Sequence, residues 1–494
     1  MHALPILIVQ PYFYLDTYAA SHRNYDSVSY IFRNPLSLSS QHPAAISQEL
    51  PPRDTKMSPH AVQPAPGSPR LGLDFNKYAV TKNAFLPEQN PAHVLSDPYY
   101  EPWEAVGRNL AQLIDEGTIH DAIRQLPILS VDNLVSEAEW RRAYTLLAFL
   151  THAYVWGGDT PEEASFGCRW NESSRQMFAN MLFFLSAHVE LPPVLTYAAA
   201  NLWNFTCDGD DFTNLDKLKL CFSFTGTESE SWFLLISVAM EAKAAGILQT
   251  MVTALEAVKA RNYDGVTRGL EALRNCIDGV SRLLERMYER CDPMTFYHHI
   301  RPFLAGSQNM AAAGLPRGVL YDEGDGRGEW RQLRGGSNGQ SSLIQFFDVV
   351  LGIEHSGHGD RKHASYHEEV REYMPGPHRR FLVQIARMGS IRELAMVAPQ
   401  TDAQQRLRDA YADATAALTA FRQKHISIVT RYIILPSKKP WQGKRGKQNL
   451  ASSSSTSKSD DQLTGTGGTA LVPFLRKARD ETTEAGKLQR RQQS

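Results

Sequence analysis

FRQKHISIVTRYIILP, residues 421–436, is the stretch of this chain whose spacing decides the fold. Phe421, His425, Ile428 and Tyr432 follow one another at intervals of four, three and four residues. Those intervals place the four side chains on one face of an α-helix, and that face is otherwise apolar around the histidine. The stretch therefore predicts a helix that turns His425 toward a buried surface.

A histidine in such a position has two common explanations. It is either a core residue whose ring bonds a backbone carbonyl, or an axial ligand, because an imidazole on an apolar helix is how a protein holds haem iron. Arg422 lies one turn before His425, where its guanidinium could bind a haem propionate. These two residues alone leave both explanations open.

The rest of the chain from about residue 95 also follows helical spacing. Ser136 and Glu139 form a capping box at the start of a helix over 136–156, and Gly117 is predicted to end a helix that begins near Trp103. Strand patterns are few and short. Further helical patterns cover 190–205, 230–260, 262–290, 294–305, 342–353, 378–390 and 402–434.

These patterns predict an all-α protein with two helical domains. The smaller domain spans 71–189, and the larger one spans 190–485. Residues 1–70 are rich in Ser, Pro, His and Gln and are predicted to be a disordered extension, and 486–494 forms a tail. Within the larger domain, 436–469 is basic, then Ser-rich, then Gly-rich, which predicts a mobile lid loop.

Composition and charge argue against several classes of protein. The formal net charge is -1 and the pI is about 7.0, so no overall field favours nucleic acid or an anionic membrane surface. No apolar run reaches the roughly 18–20 residues of a membrane span, and the apolar start LPILIV lacks the basic residues of a signal peptide. The five cysteines include no CxxC pair, which suits a reducing compartment. We expect a cytoplasmic monomer without nucleic-acid or membrane partners.

A second group of metal-binding side chains lies between residues 355 and 367. Its histidines are separated by three, five and four residues, with Asp360 and Glu368 nearby, which would suit zinc or non-haem iron. Gly357 and Gly359 favour a solvated loop instead, but a non-haem metal enzyme stays an alternative. The four histidines are His355, His358, His363 and His367.

A set of segments, in the same order along the chain, resembles the indoleamine 2,3-dioxygenase family, in its fungus-like branch. The resemblance covers about residues 72–485. It implies an all-helical two-domain fold with b-type haem in the large domain. The segments are AYVWG (153–157), ELPPVLTYA (190–198), FSF (222–224), WFLLISV (232–238), GGSNGQSS (335–342), QFFDVVLGI (345–353), YMPGPHRRFL (373–382), HISIVTRYIILP (425–436) and GTGGT (465–469).

The resemblance also implies a reaction. Both atoms of O₂ are inserted into the indole C2–C3 bond of L-tryptophan, which gives N-formylkynurenine, the first step of the kynurenine pathway. The iron must be ferrous, so the resemblance implies a reductant, which the sequence does not identify. His425 is implied as the proximal ligand to that iron.

Four matched positions are implied to line the catalytic side of the haem. Phe233 would pack on the substrate ring, and Ser237, four residues further on, would face the same side of the helix. The Ser237 hydroxyl either bonds oxygen, the substrate amine or a water, or bonds back to its own helix. Tyr197 and Ala200 are implied to lie deeper in the pocket.

The substrate's polar end has its own implied partners. Phe296 and Arg301, in FYHHIR, match the family's substrate-binding Phe and Arg, so Arg301 would pair with the tryptophan carboxylate. Five positions separate the two, so they would not stack on a regular helix. Thr466, in GTGGT, would receive the carboxylate or the amine, while Gly336 and Ser337 would lie over the haem edge.

The chain departs from the family pattern at a few positions. Asn201, Asn338 and Tyr297 stand where less polar residues are expected, which makes the pocket more polar. Asp348 matches a family position and is assigned only to support the haem-side helix. The catalytic-side segments contain no evident His or carboxylate base, and the family's chemistry does not require one. A haem- or tryptophan-binding sensor with little turnover is a further alternative, although retention of Arg301 and its neighbours favours catalysis.

Overall fold

The computed structural model describes residues 73–127, 129–158, 172–321, 328–355, 366–441, 465–466 and 471–487. The described residues lie in one compact unit, within Met57–Ser494. The predicted N-terminal extension, most of the predicted lid loop and most of the predicted tail lie outside the described residues.

The fold is all-α, as predicted. The helices are α1 Glu101–Arg108, α2 Leu110–Glu116, α3 Ile119–Arg124, α4 Glu137–Trp156, α5 Glu172–Val189, α6 Glu228–Ala242, α7 Ile247–Lys259, α8 Tyr263–Glu285, α9 Met287–Arg290, α10 Pro293–Thr295, α11 Arg301–Leu304, α12 Ser342–Leu351, α13 Tyr366–Arg371, α14 Gly376–Met388, α15 Ile391–Met396, α16 Asp402–Val429, α17 Leu435–Ser437 and α18 Leu471–Ala485.

Four short strands form two antiparallel pairs in the part of the chain that is described. Phe205 pairs with Leu220 in the first, and Val319 pairs with Arg331 in the second. Each strand has three residues, so these pairs fasten loops rather than form a layer of the fold. The strands are β1 Phe205–Cys207, β2 Leu218–Leu220, β3 Val319–Tyr321 and β4 Glu329–Arg331.

Local sequence explains where the helices begin and end. The Ser136 side chain accepts from the Glu139 amide, and the Glu139 side chain bonds back to the Ser136 amide, so the predicted capping box starts α4. Gly117 ends α2 in the left-handed region at φ 72°, also as predicted. The single helix predicted from Trp103 to Gly117 is divided, because Asn109 leaves helical geometry between α1 and α2.

The apolar helical stretch Glu228–Lys259 is long and hydrophobic enough to span a membrane, with a mean hydropathy of 1.5, although no such run was expected from the sequence. The structure breaks the stretch at Gly246, whose φ is 78°. Buried Glu230 and Glu241 also interrupt its apolar character. Because α6 and α7 pack in the protein core, burial by neighbouring helices accounts for the hydropathy.

The longest helix, α16, organises the core of the molecule. It packs along α8 on one side and against α18 on another, while α7 packs on the far face of α8. One continuous hydrophobic cluster includes residues from both predicted domains, such as Tyr154 and Leu418. The predicted boundary between residues 189 and 190 stays a prediction.

In the described part of the chain, three segments adopt a π-helix, in which the backbone N–H bonds the carbonyl five residues earlier. They are Ala198–Leu202, Phe296–Ile300 and Thr430–Ile434. π turns are rare and tend to occur at functional sites. All three contribute residues to the cavity described next.

Candidate active site

Every residue that the sequence analysis assigned to the site lines one internal cavity. Its volume is about 220 Å³, taken as the space open to the centres of water molecules. The roles assigned to these residues stay predictions. The residues are Tyr197, Ala200, Phe233, Ser237, Phe296, Arg301, Gly336, Ser337, Arg422, His425 and Thr466.

His425 faces this cavity from α16, together with Phe421 and Ile428, and Tyr432 follows from the π turn. The predicted shared face is therefore confirmed. Neither ring nitrogen of His425 makes a hydrogen bond with any residue that the structure describes. Burial, with a smaller effect of Arg422, lowers the pKa of His425 to about 4. The ring is neutral at physiological pH, and the backbone-bonded core histidine is not what the structure contains.

Arg422 has protein partners on most of its guanidinium. Its Nη2 donates to both oxygens of Asp348, at 2.7 and 2.8 Å. Its Nη1 donates to the Ala478 carbonyl and to the Thr482 hydroxyl. The contact of Arg422 with a haem propionate stays a prediction. Among the described residues, the Arg422 Nε–H has no hydrogen-bond partner and could serve this contact. What the structure adds is that Arg422 ties α16 to α12 and α18.

The predicted histidine cluster is brought partly together beside this ion pair. Atoms of Asp348, His355 and His367 that could bind a metal lie within 4.8 Å of one another. However, the two imidazole rings stack with centroids 3.8 Å apart and planes 14° apart. Nearly parallel rings cannot both direct their in-plane nitrogen lone pairs at one ion. His358 and His363 lie outside the described residues.

His355 instead bridges two carboxylates. Its Nε2 lies 3.1 Å from Asp348 Oδ2 and its Nδ1 lies 2.7 Å from Glu481 Oε2. Burial opposes protonation of His355, but the hydrogen bond and charge of Asp348, helped by Glu481, raise its pKa above the ordinary value. Burial and the neighbouring His355 lower the pKa of His367 to about 3. The arrangement favours an ion network over a metal centre.

Aromatic rings form one wall of the cavity. Phe233 and Phe296 pack edge to face with centroids 4.8 Å apart, and Phe296 packs perpendicular to Tyr432 at 5.9 Å. Such rings accept a flat aromatic ligand through stacked or edge contacts.

The π turn explains how Phe296 and Arg301 share the cavity. The Arg301 amide donates to the Phe296 carbonyl, five residues earlier. The wider turn brings residues at this interval to one side, whereas a regular α-helix would separate them. The guanidinium of Arg301 lies over the Tyr297 ring, 5.4 Å from its centroid.

Thr466 makes three hydrogen bonds with residues 305–342, which we call the glycine-rich segment. Its carbonyl accepts from the amides of Gly306 and Gly335, at 3.4 and 3.3 Å, and its hydroxyl donates to the Gly336 carbonyl at 2.7 Å. A Cβ on Gly306 would lie 2.2 Å from the Gly335 amide nitrogen. The close backbone approach therefore requires glycine. Gly306 was not singled out in the sequence.

Glu241 is the functional candidate that sequence reasoning missed. It lines the cavity, is 1% exposed, and its Oε1 accepts from Tyr197 at 3.0 Å and from Ser341 at 2.6 Å. Its Oε2 is buried and has no hydrogen-bond partner among the described residues, and burial raises the pKa of Glu241 to about 7. That the catalytic-side segments contain no evident base stays a prediction, while Glu241, three residues after WFLLISV (232–238), adds a carboxylate to the cavity wall. The spacing could have revealed it, because Glu241 follows Ser237 by one helical turn.

Helix α18 closes another side of the cavity and was also not assigned to the site. Its apolar residues recur at intervals of three, one and three positions, which is the spacing of one helical face. That face was visible in ALVPFLRKA but had no predicted partner. The lining residues are Leu471, Phe474, Leu475 and Ala478.

Comparison with known proteins identifies relatives over nearly the whole described chain. A family model described as indoleamine 2,3-dioxygenase matches residues 74–485. An indoleamine 2,3-dioxygenase of Aspergillus nanangensis is 37% identical over 423 residues, which cover 84% of this chain and 97% of the relative. A 6-hydroxytryptophan 2,3-dioxygenase of Fusarium equiseti is 37% identical over 407 residues, covering 81% and 95%. An indoleamine 2,3-dioxygenase of Saccharomyces cerevisiae is 35% identical over 435 residues, covering 83% and 92%.

Proposed function

The chain belongs to the indoleamine 2,3-dioxygenase family, and from this premise we propose that it is a haem dioxygenase that converts L-tryptophan to N-formylkynurenine. The reaction inserts both atoms of O₂ across the C2–C3 bond of the indole. It is the first step of the kynurenine pathway of tryptophan catabolism.

The residues around the cavity fit a haem group. The neutral imidazole of His425 faces the cavity with no hydrogen-bond partner among the described residues, which is the state of a histidine able to donate a lone pair to iron. The surroundings of His425 are apolar, with Leu284, Ile428 and Val429 among the lining residues. Haem, when bound, supplies the ferrous iron that O₂ requires. His425 would hold the iron, and the Gly336–Ser337 backbone would lie along the edge of the ring.

The protein's own contribution is to orient the substrate and exclude water. The aromatic wall of Phe233 and Phe296 would hold the indole ring by edge and face contacts. Arg301, at the end of the π turn, would pair with the substrate carboxylate. Thr466, whose hydroxyl donates to the Gly336 carbonyl of the glycine-rich segment, would cover the polar end of the substrate.

The unpartnered His425 in an apolar cavity carries this proposal. Catalysis is favoured over a sensor that only binds haem, because haem binding requires neither the aromatic wall nor Arg301. The non-haem metal alternative is disfavoured by the parallel stacking of His355 on His367.

The deciding experiment follows product formation by the purified, haem-loaded protein. The iron is reduced without oxygen, tryptophan is added, and O₂ is then admitted while the absorbance of N-formylkynurenine is recorded. Product is expected only when reductant, tryptophan and O₂ are all present. A haem-loaded protein that binds tryptophan and forms no product would overturn the proposed activity.

We further propose that the protein acts in the cytoplasm as a monomer and depends on a cellular reductant. The four described cysteines, Cys207, Cys221, Cys276 and Cys291, are unpaired, which suits a reducing compartment. Fractionation of cells and light scattering of the purified protein test these two points.

A further inference from the structure

An asparagine lies in the wall of the cavity, inside the π turn Ala198–Leu202. Asn201 is 4% exposed and lines the cavity between Ala200 and Leu234. Its Nδ2 donates to the Leu234 carbonyl at 2.9 Å. A carbonyl accepts only from the NH₂ group of an amide, so this bond fixes which way the Asn201 side chain is turned.

The bond leaves the carbonyl oxygen of the same amide to be accounted for. Asn201 Oδ1 accepts no hydrogen bond from any residue that the structure describes. An acceptor removed from bulk water without a partner destabilises the fold, and such groups are usually satisfied by a ligand or a water. A site that binds a ligand donor explains why a polar residue stands in this wall.

The position of this acceptor relative to the aromatic wall indicates what it would meet. Leu234, to which Asn201 is bonded, directly follows Phe233, and Phe233 packs against Phe296. Asn201 lines the same cavity as Phe233 and Phe296, the rings proposed to hold the indole. The carboxylate and amino groups of the substrate have other proposed partners, which are Arg301 and Thr466.

We propose that Asn201 is a specificity-determining residue that accepts a hydrogen bond from a donor on the edge of the substrate's aromatic ring system. Two sources supply this chemistry, the indole N–H and a hydroxyl on the benzo ring of a hydroxytryptophan. The inference rests on the proposed function only in that the cavity binds indole amino acids. It is tested by binding, so that its outcome does not depend on turnover.

The experiment compares the haem-loaded full chain with its Asn201→Leu variant, which keeps the branched shape and removes the acceptor. Kd values are measured by calorimetry for four ligands. Three are tryptophan, 5-hydroxytryptophan and 6-hydroxytryptophan. The fourth is the benzofuran analogue of tryptophan, in which oxygen replaces the N–H without added bulk. Asn338→Leu is the matched control, because Asn338 lines the same cavity from the glycine-rich segment.

We expect the loss of affinity in Asn201→Leu to depend on the donor, by about tenfold for one hydrogen bond. If the indole N–H is the donor, tryptophan binds more weakly to the variant while the benzofuran analogue is unaffected. If a ring hydroxyl is the donor, one hydroxytryptophan loses affinity while tryptophan does not. Either result supports the proposal and identifies the source.

Two results would overturn it. One is an equal change in Kd for all four ligands, including no change at all. The other is a donor-dependent loss of the same size in Asn338→Leu, which would show that Asn201 has no special role. A Soret band and a thermal midpoint close to those of the wild type establish that the variant is folded, and Asn201→Ala, which also lacks the acceptor, replaces it if it is not. Failure of N-formylkynurenine formation would leave these binding results intact.

Discussion

Arg422 donates from Nη2 to both carboxylate oxygens of Asp348, with 9% and 6% of the two side chains exposed. Burial opposes ionisation of Asp348, but the charge of Arg422 and the hydrogen bond from His355 hold its pKa below the usual range. The pair joins α12 to the helix that carries His425. Removing the carboxylate alone leaves a buried cation without its counter-charge.

We therefore expect Asp348→Ala to lower the free energy of unfolding by about 3–5 kcal/mol. Urea denaturation followed by circular dichroism measures the loss. The matched control is Asp264→Ala, which breaks the pair with Arg406 that lies 56% and 57% exposed and is expected to cost less than about 1 kcal/mol. Equal losses in the two variants would contradict a special role for the buried pair.

His425→Ala is expected to remove the Soret band of the purified protein. The imidazole is the group that would hold the iron, and the other histidine that lines the cavity, His367, is stacked on His355. Added free imidazole should restore part of the band, since the truncated side chain leaves space for it. The control is His188→Ala, because His188 pairs with Glu137 and does not line the cavity. An unchanged Soret band in His425→Ala would refute the assignment.

Arg301→Gln should lower kcat/KM for tryptophan by about 10–100-fold, as expected for the loss of a charge-assisted hydrogen bond. The Soret band should stay unchanged, because the assigned role concerns substrate alone. The kcat/KM for tryptamine, which lacks the carboxylate, should not change with the substitution. Arg274→Gln, on a side chain that is 51% exposed, serves as the control. A similar loss with tryptamine would show that Arg301 does not bind the carboxylate.

Glu241→Gln is expected to change how stability depends on pH. The folded pKa of about 7 lies above the ordinary 4.5, so the folded protein binds more protons than the unfolded chain between these values. Stability therefore falls as pH rises from about 4.5 to 7, by about 3 kcal/mol from this group. Glutamine does not titrate, so this pH dependence is lost in the variant. The free energy of unfolding of the variant should therefore exceed that of the wild type at pH 8 and not at pH 4.

Urea denaturation at the two pH values measures this difference. Glu271→Gln, on the exposed side of α8, should show no such gain. If the two variants behave alike, the protonated state of Glu241 is not supported.

His355→Gln tests the ion network that His355 forms with Asp348 and Glu481. The pKa of His355 is raised in the folded state, so its contribution to stability is complete below the unfolded value of about 6.5 and is lost as pH rises through the folded value. The wild type should therefore exceed the variant in stability at pH 6, and the gap should narrow by pH 9. A gap that does not vary with pH would show that His355 acts by packing alone.

Much of the site could be predicted because its residues repeat at regular helical intervals. Phe421, His425 and Ile428 lie on one face because α16 is a regular helix, and the capping box of Ser136 and Glu139 acts within one turn of backbone. Matched segments of the family placed the remaining residues, since Arg301 or Thr466 has no recognisable pattern of its own.

The missed features depend on contacts or geometry that local spacing does not contain. The π turn at Phe296 changes which side chains share a face, and its i+5 bond follows from packing rather than from residue type. The partnership of Arg422 with Asp348 joins residues 74 positions apart. Glu241 was overlooked because a glutamate in an apolar helix is usually solvent-exposed, whereas here burial by neighbouring elements decides its state.

Helix α18 forms a wall of the cavity, and it follows every other described wall in chain order. Ribosomes make proteins from the N-terminus, so the helix with His425, the aromatic wall and the glycine-rich segment are all synthesised before α18. Until α18 docks, the cavity is a groove open along one side. Enclosure of the cavity therefore depends on the docking of α18, the last of its walls to be synthesised.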